Sequence, residues 1–472
     1  MALANSPTNA PTAPFTGATA SGAFSTTPTS TDPYTYQVGF GNYFTSEALS
    51  GAIPIGQNTP QRCPYDLISE QLNGTPFISS RAYLLHAWFY RINPSSDHGS
   101  VREITTNPDL EAVFHPSDTN IRFMPECQEW EKFPLPSNDV EVDFVDGVKT
   151  IAGHGDPTAK EGLAVHMYLA NRSMEKRAFC NHDGDMLILP QEGRLDIQTE
   201  FGKLMVSPGE LVVIQAAMRF SVRLPDGVGR GYIQEVFGTH YELPELGPVG
   251  SNGMAQLRDF EIPVASFDVD QSEWTVVMKL AGKLFGYEQG HTPFDVVGWH
   301  GTYAPFKYKL ERFINSGTVD RDQSDPSIYC VLTTRSKIQG VSTADFLAFT
   351  PKWQVARNTF RPPYYHRNVC TEVMGMVCGK WTLSSSLEPG GLTYEPSYLP
   401  HGESQEMWKE ATTAELVSER VGEGNVVFMM QIPAHVGLTK YALNCKNRKT
   451  IQKNVWNNPS FLNHLNSLAT SG

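Results

Sequence analysis

Apolar residues fall in short runs along this chain. Ala82–Ile92, Leu163–Ala170, Met186–Leu189, Arg194–Thr199, Leu211–Gln215, Phe220–Leu224 and Gly231–Phe237 each read as a strand. Gly, Pro, Asn and Asp punctuate them, the pattern of antiparallel β structure joined by tight turns. Amphipathic helical spacing is rare, and Val276–Tyr287 is one stretch that predicts such a helix. Residues 1–30 have no apolar period. Ala, Ser, Thr, Pro and Gly supply 24 of those 30 positions, so a flexible tail is expected. The expected organisation is a tail over 1–33, a β domain over 34–287, a second β domain over 288–432, and a helical or irregular extension over 433–472.

The two β blocks echo each other weakly. Gly193–Gly202 followed by Ser207-Pro-Gly-Glu210 reads like half of a cupin barrel, with glycines turning the chain between short strands. Gly375, Gly379, Pro389-Gly-Gly391 and Pro400-His-Gly402 repeat that layout. The fold class expected is all-β, with two related cupin-like β-barrel domains in one chain, a bicupin-like arrangement.

Composition narrows the function. Aromatics are 11% and charged residues 18% of 472 residues, too apolar for a disordered chain. The net charge of −13 lacks the basic surface that non-specific nucleic-acid binding needs. Seven cysteines with no CxxC pair suggest free thiols in a reducing compartment. No apolar run approaches a membrane span, and no basic segment followed by an apolar run stands near the start; a cytoplasmic location without membrane or nucleic-acid partners is expected.

The candidate chemistry lies in the second block. Most of the 13 histidines stand alone, but Glu372 follows His366 by six residues and His401 follows 29 later. An offset of six puts His366 and Glu372 on one side of a single extended strand, and the next hairpin can bring His401 alongside. Two His and one carboxylate with open positions form the facial triad of non-haem Fe(II) oxygenases. Three polar residues on a β surface would give the same spacing, and the spacing alone leaves both readings open. The segment before His366, Thr359–Tyr365, is rich in aromatic residues and proline, as a shaped pocket would be. His300 ends an apolar run before a Gly turn, where it is either a pocket acid/base or a satisfied core histidine.

These segments resemble the homogentisate 1,2-dioxygenase family over nearly the whole chain beyond the tail. The motifs include Gly39-Phe-Gly-Asn42, Gln57–Gln61, Trp88-Phe-Tyr-Arg91, Thr199-Glu-Phe-Gly202 and Glu242–Pro248. Trp299-His-Gly301, Asp325–Ile328, Phe360–Asn368 and Pro400-His-Gly402 are the most specific. The resemblance implies an N-terminal β-sandwich domain, a C-terminal cupin (jelly-roll) domain, an Fe(II) site from His366, Glu372 and His401, His300 as acid/base, Tyr365 in the pocket, and a homo-oligomer, trimer or hexamer. It implies ring cleavage of a small aromatic para-diol with both atoms of O2, in tyrosine and phenylalanine catabolism.

Two pocket positions depart from the family pattern. Trp381 stands where the family has a substrate-binding Tyr, and Glu395 where it has a His. An ionised Glu395 would repel a homogentisate carboxylate at 4 Å by about 1 kcal/mol in water and about 4 at an effective dielectric of 20. Homogentisate itself and a related hydroquinone without a free carboxylate therefore both stay open. So do changed oxidative chemistry in a biosynthetic pathway, a metal-dependent isomerase or manganese oxidase, and a bicupin that catalyses nothing.

Overall fold

The computed structural model describes residues 26, 28–245, 255–315, 326–355, 357–380, 387–451, 456 and 459–470. Most of the expected N-terminal tail and Trp381 lie outside the described residues. Strands dominate the rest, as the alternating runs and turn residues predict.

Three large sheets carry the fold. A ten-stranded sheet has Glu161–Ala170, Gly184–Glu192 and Gly229–Phe237 near its middle. A seven-stranded sheet contains Leu195–Thr199, Arg219–Arg223, Arg177–Asn181 and Trp274–Leu280. An eight-stranded sheet runs through Cys330–Arg335, Ser342–Phe349, Val426–Ile432, Thr371–Cys378 and Leu392–Glu395, then Gln128–Trp130 and Arg448–Lys449. The halves interleave. Gln128–Trp130, from early in the chain, extends the late sheet, and Gly437–Thr439, from its end, joins the early one.

The helix expected over Val276–Tyr287 is a hairpin. Trp274–Leu280 pairs antiparallel with Lys283–Gln289 around Ala281-Gly282, both at positive φ. Such a two-residue turn matches the twist of paired strands. Val276 and Val277 on one arm and Leu284 and Tyr287 on the other are buried, so packing between strands overrides the helical period.

The strand that will matter most, Thr371–Cys378, is anchored from the other half. Tyr232 of the ten-stranded sheet packs its ring on Phe428 at 4.6 Å. Its hydroxyl donates to the Met376 carbonyl at 2.8 Å. A buried aromatic of this size contributes about 1.5–3 kcal/mol, and the bond fixes its orientation. Among the described residues no helix is long and apolar enough to cross a membrane, and all seven cysteines are free.

Candidate metal centre

Glu372 is the second residue of Thr371–Cys378, paired with Gln431 on one side and Glu395 on the other. His366 is not on that strand. It forms an isolated antiparallel bridge with His401, each N–H donating to the other's carbonyl at 3.1 Å. The expectation of one extended strand is therefore corrected. The chain bends through Asn368, whose side chain accepts from the Cys370 N–H at 3.2 Å, an Asx-type turn. Asn368 then donates to Glu372 Oε1 at 2.9 Å, so the residue that makes the bend also aims the carboxylate.

The bridge places the two imidazoles together, with ring centroids 4.2 Å apart. Gly402 makes this possible from the outside. A Cβ there would meet the Tyr365 ring at 2.3 Å, so a side chain would drive the aromatic off the loop. Tyr365 covers that loop and packs edge-on against Trp456 at 5.5 Å.

One ligand atom each from His366, Glu372 and His401 lies within 4.8 Å of the other two. His366 Nε2 stands 3.6 Å from Glu372 Oε1, and His401 Nε2 3.7 Å from Oε2. Donors about 2.1 Å from one ion are separated by about 3.0–3.5 Å, so small side-chain adjustments suffice. The Nδ1 atoms face carbonyls, His366 toward Tyr364 O at 2.8 Å and His401 toward Leu399 O at 2.9 Å. As Nδ1–H donors they leave both Nε2 lone pairs directed inward, the tautomer a metal ligand requires. His401 Nε2 is buried and makes no hydrogen bond. Glu395 Oε2 comes to 2.9 Å from it without the alignment of one. An orphaned inward nitrogen, a second imidazole and an oriented carboxylate fit a divalent first-row metal.

The electrostatics agree. Burial would raise the Glu372 carboxyl, but the nearby imidazoles of His366 and His401 and the Asn368 amide pull it down to about 2. Burial would lower His401, yet Glu372 and Glu395 hold it up to about 10. His366 is raised chiefly by Glu372. The cluster thus favours positive charge at its centre.

His300 belongs to a different sheet. It lies on Val296–Gly301, in a four-stranded sheet with Phe44–Glu47, His86–Arg91 and Ile68–Asn73. The Tyr43 hydroxyl is 2.5 Å from its Nδ1 and the Tyr90 hydroxyl 3.0 Å from its Nε2. Burial, with His86 nearby, keeps its pKa below the usual imidazole value. Its ring partners are these two tyrosines and not the triad. Sequence reasoning did not foresee Asn368, Tyr43 or Tyr90 in these roles. Asn368 ends the Phe360–Asn368 motif and Tyr90 lies within Trp88–Arg91.

The architecture is predominantly β, and beside its eight-stranded sheet two histidines and one carboxylate form a cluster able to hold a metal ion. Residues 35–310 match the family described as Homogentisate 1,2-dioxygenase N-terminal, and residues 311–462 its C-terminal counterpart. The homogentisate 1,2-dioxygenase of Emericella nidulans is 44% identical over 89% of this chain and 93% of its own length. The human enzyme of that name is 44% identical over 86% and 92%, respectively. The Arabidopsis thaliana one is 45% identical over 84% and 86%. The chain belongs to the homogentisate 1,2-dioxygenase family.

Proposed function

We propose that the protein is an Fe(II)-dependent dioxygenase that opens the aromatic ring of homogentisate with both atoms of O2. One observation carries this reading: His366, Glu372 and His401 converge as an oriented ligand set in a chain 44% identical to homogentisate 1,2-dioxygenases over most of its length. Bound iron would supply Lewis acidity and a route for electrons from the ring to O2.

The chain's own residues prepare the site. His366 and His401 present Nε2 because backbone carbonyls hold Nδ1. Asn368 fixes the Glu372 carboxylate, so the ligands lose little freedom on binding the ion. His300 is the proposed proton carrier. Its support is a buried ring kept neutral between two phenol hydroxyls, which lets it accept a proton near neutral pH and pass it along the Tyr43–His300–Tyr90 chain. A homo-oligomer, trimer or hexamer, completes the reading. It is supported by the helix Pro459–Thr470, which exposes Phe461, Leu462, Leu465 and Leu468.

A second reading keeps the chemistry and changes the substrate to a hydroquinone without a free carboxylate. It is favoured by Glu395, whose carboxylate stands 2.9 Å from a ligand nitrogen. Oxygen uptake and product mass, measured after anaerobic Fe(II) loading, separate the two. Rapid uptake with homogentisate supports the first reading. Uptake with the methyl ester but not the acid supports the second. No uptake with any para-diol overturns both.

A further inference from the structure

Glu395 faces Glu372 directly across two antiparallel strands. Residues so paired project from one face with Cβ atoms about 5 Å apart, and like charges there destabilise the sheet. Thr371–Cys378 and Leu392–Glu395 keep this pair nonetheless, and no Lys or Arg ion pair reaches either carboxylate among the described residues. What lies between them is His401 Nε2, 3.7 Å from Glu372 Oε2 and 2.9 Å from Glu395 Oε2. The nitrogen aimed at the metal position is therefore approached by two carboxylates: Glu372, which shares the 4.8 Å cluster with His366, and Glu395, which stands beside that cluster.

We propose that Glu395 is a fourth protein group on the metal, so that this centre presents two histidines and two carboxylates. The inference rests on the metal reading above and deepens it. Its charge consequence is direct. Two neutral imidazoles and two carboxylates balance a dication, whereas a single carboxylate leaves one net positive charge. A balanced centre holds its own ion tightly and attracts exogenous anions weakly, because the local field, not the chain's overall charge, sets anion affinity at a short distance. Glu395 thereby becomes a specificity-determining residue. It favours aromatic ligands that reach the ion through a neutral hydroxyl over those that reach it through a carboxylate.

Full-length protein stripped of metal, titrated anaerobically with Co(II) against a competing fluorescent chelator, tests this. Wild type should bind one Co(II) per chain. Glu395→Gln, which keeps shape and removes charge, should bind it about 10–100-fold more weakly. Its visible Co(II) bands should change, and it should bind azide about tenfold more tightly than the wild-type Co(II) form. Glu395→Asp, shortened but still charged, should fall between them, and apo melting temperatures report whether each variant folds. Co(II) affinity and bands of a folded Glu395→Gln within about twofold of wild type overturn the inference alone. A wild-type chain that takes up no Co(II), or a His366→Ala chain that binds it normally, overturns the metal reading itself and this inference with it.

Discussion

Between the ten- and seven-stranded sheets, His166 and Glu235 meet Lys279, Asp183 and Asn181, all buried. In the eight-stranded sheet, His366 and His401 meet Glu372 and Glu395. Both clusters combine two carboxylates with imidazole, one ring in the first and two in the second, inside a β framework. In the first, the Lys279 ammonium donates to Glu235 at 2.8 and 2.9 Å and to Asp183 at 2.7 Å. His166 Nε2 lies 3.0 Å from Glu235, and Asn181 adds a bond at 2.7 Å. The cation is built into the chain, and the Glu235 carboxyl is drawn down to about 2 despite its burial. In the second, among the described residues, no ammonium arrives and a ligand nitrogen is left without a hydrogen bond. Buried carboxylates demand a positive partner. A lysine supplies it once and for all, whereas an ion can also bind substrate and O2. The first cluster therefore holds sheets together, and the second is the one proposed to do chemistry.

The comparison breaks most visibly at the ligands. Replacing His366 or Glu372 with Ala should abolish stoichiometric metal and cost at least about a thousandfold in turnover, since a bound metal is worth several kcal/mol to the transition state. Metal analysis and oxygen uptake check both, and the fold should survive. Lys279→Met should do the reverse. It strands Glu235 and Asp183, which should cost about 3–5 kcal/mol in denaturant unfolding, with metal stoichiometry unchanged in the folded fraction. Asn368→Ala leaves every ligand in place but frees the Glu372 carboxylate. Metal affinity should fall by about 10–100-fold, with little change in melting temperature.

A third pair sharpens the contrast because its cation is a proton. His240 lies 2.9 Å from Asp185 and 2.8 Å from the Gly74 carbonyl. Burial would lower its pKa, but Asp185 raises it to about 9. The folded value is above the ordinary 6.5, so the pair stabilises fully below about pH 6.5 and fades as pH climbs through about 9. The melting temperature of wild type minus that of His240→Gln should be largest near pH 6 and small by about pH 10. At its maximum the difference should amount to about 1–2 kcal/mol. A gap that grows with pH would refute the assignment.

Strand runs and the triad were legible locally. Leu163–Ala170 and Gly231–Phe237 fall inside observed strands because their turn signals and apolar content agree. The helix expected over Val276–Tyr287 failed because a two-residue Ala281-Gly282 turn hides inside an apolar pattern compatible with either period. The triad's members were readable as residue types at suggestive spacing. Their geometry was not, since His366 meets His401 through a bridge between two loops. The position of Glu395 opposite Glu372 depends on strand register, which a shift of one residue would reverse.

By itself the sequence determined a predominantly β chain, its family and a candidate ligand set, because periodicity and residue chemistry are local properties. Tertiary structure alone decided which histidine nitrogen faces inward, that Asn368 aims Glu372, and that His300 sits between Tyr43 and Tyr90 in a separate sheet. It also decided that Lys279 fills one polar cluster while the other stays open to an ion. Each of these is a contact between side chains far apart in the chain or turned by a loop, and sheet register and packing set such contacts only once the whole fold exists.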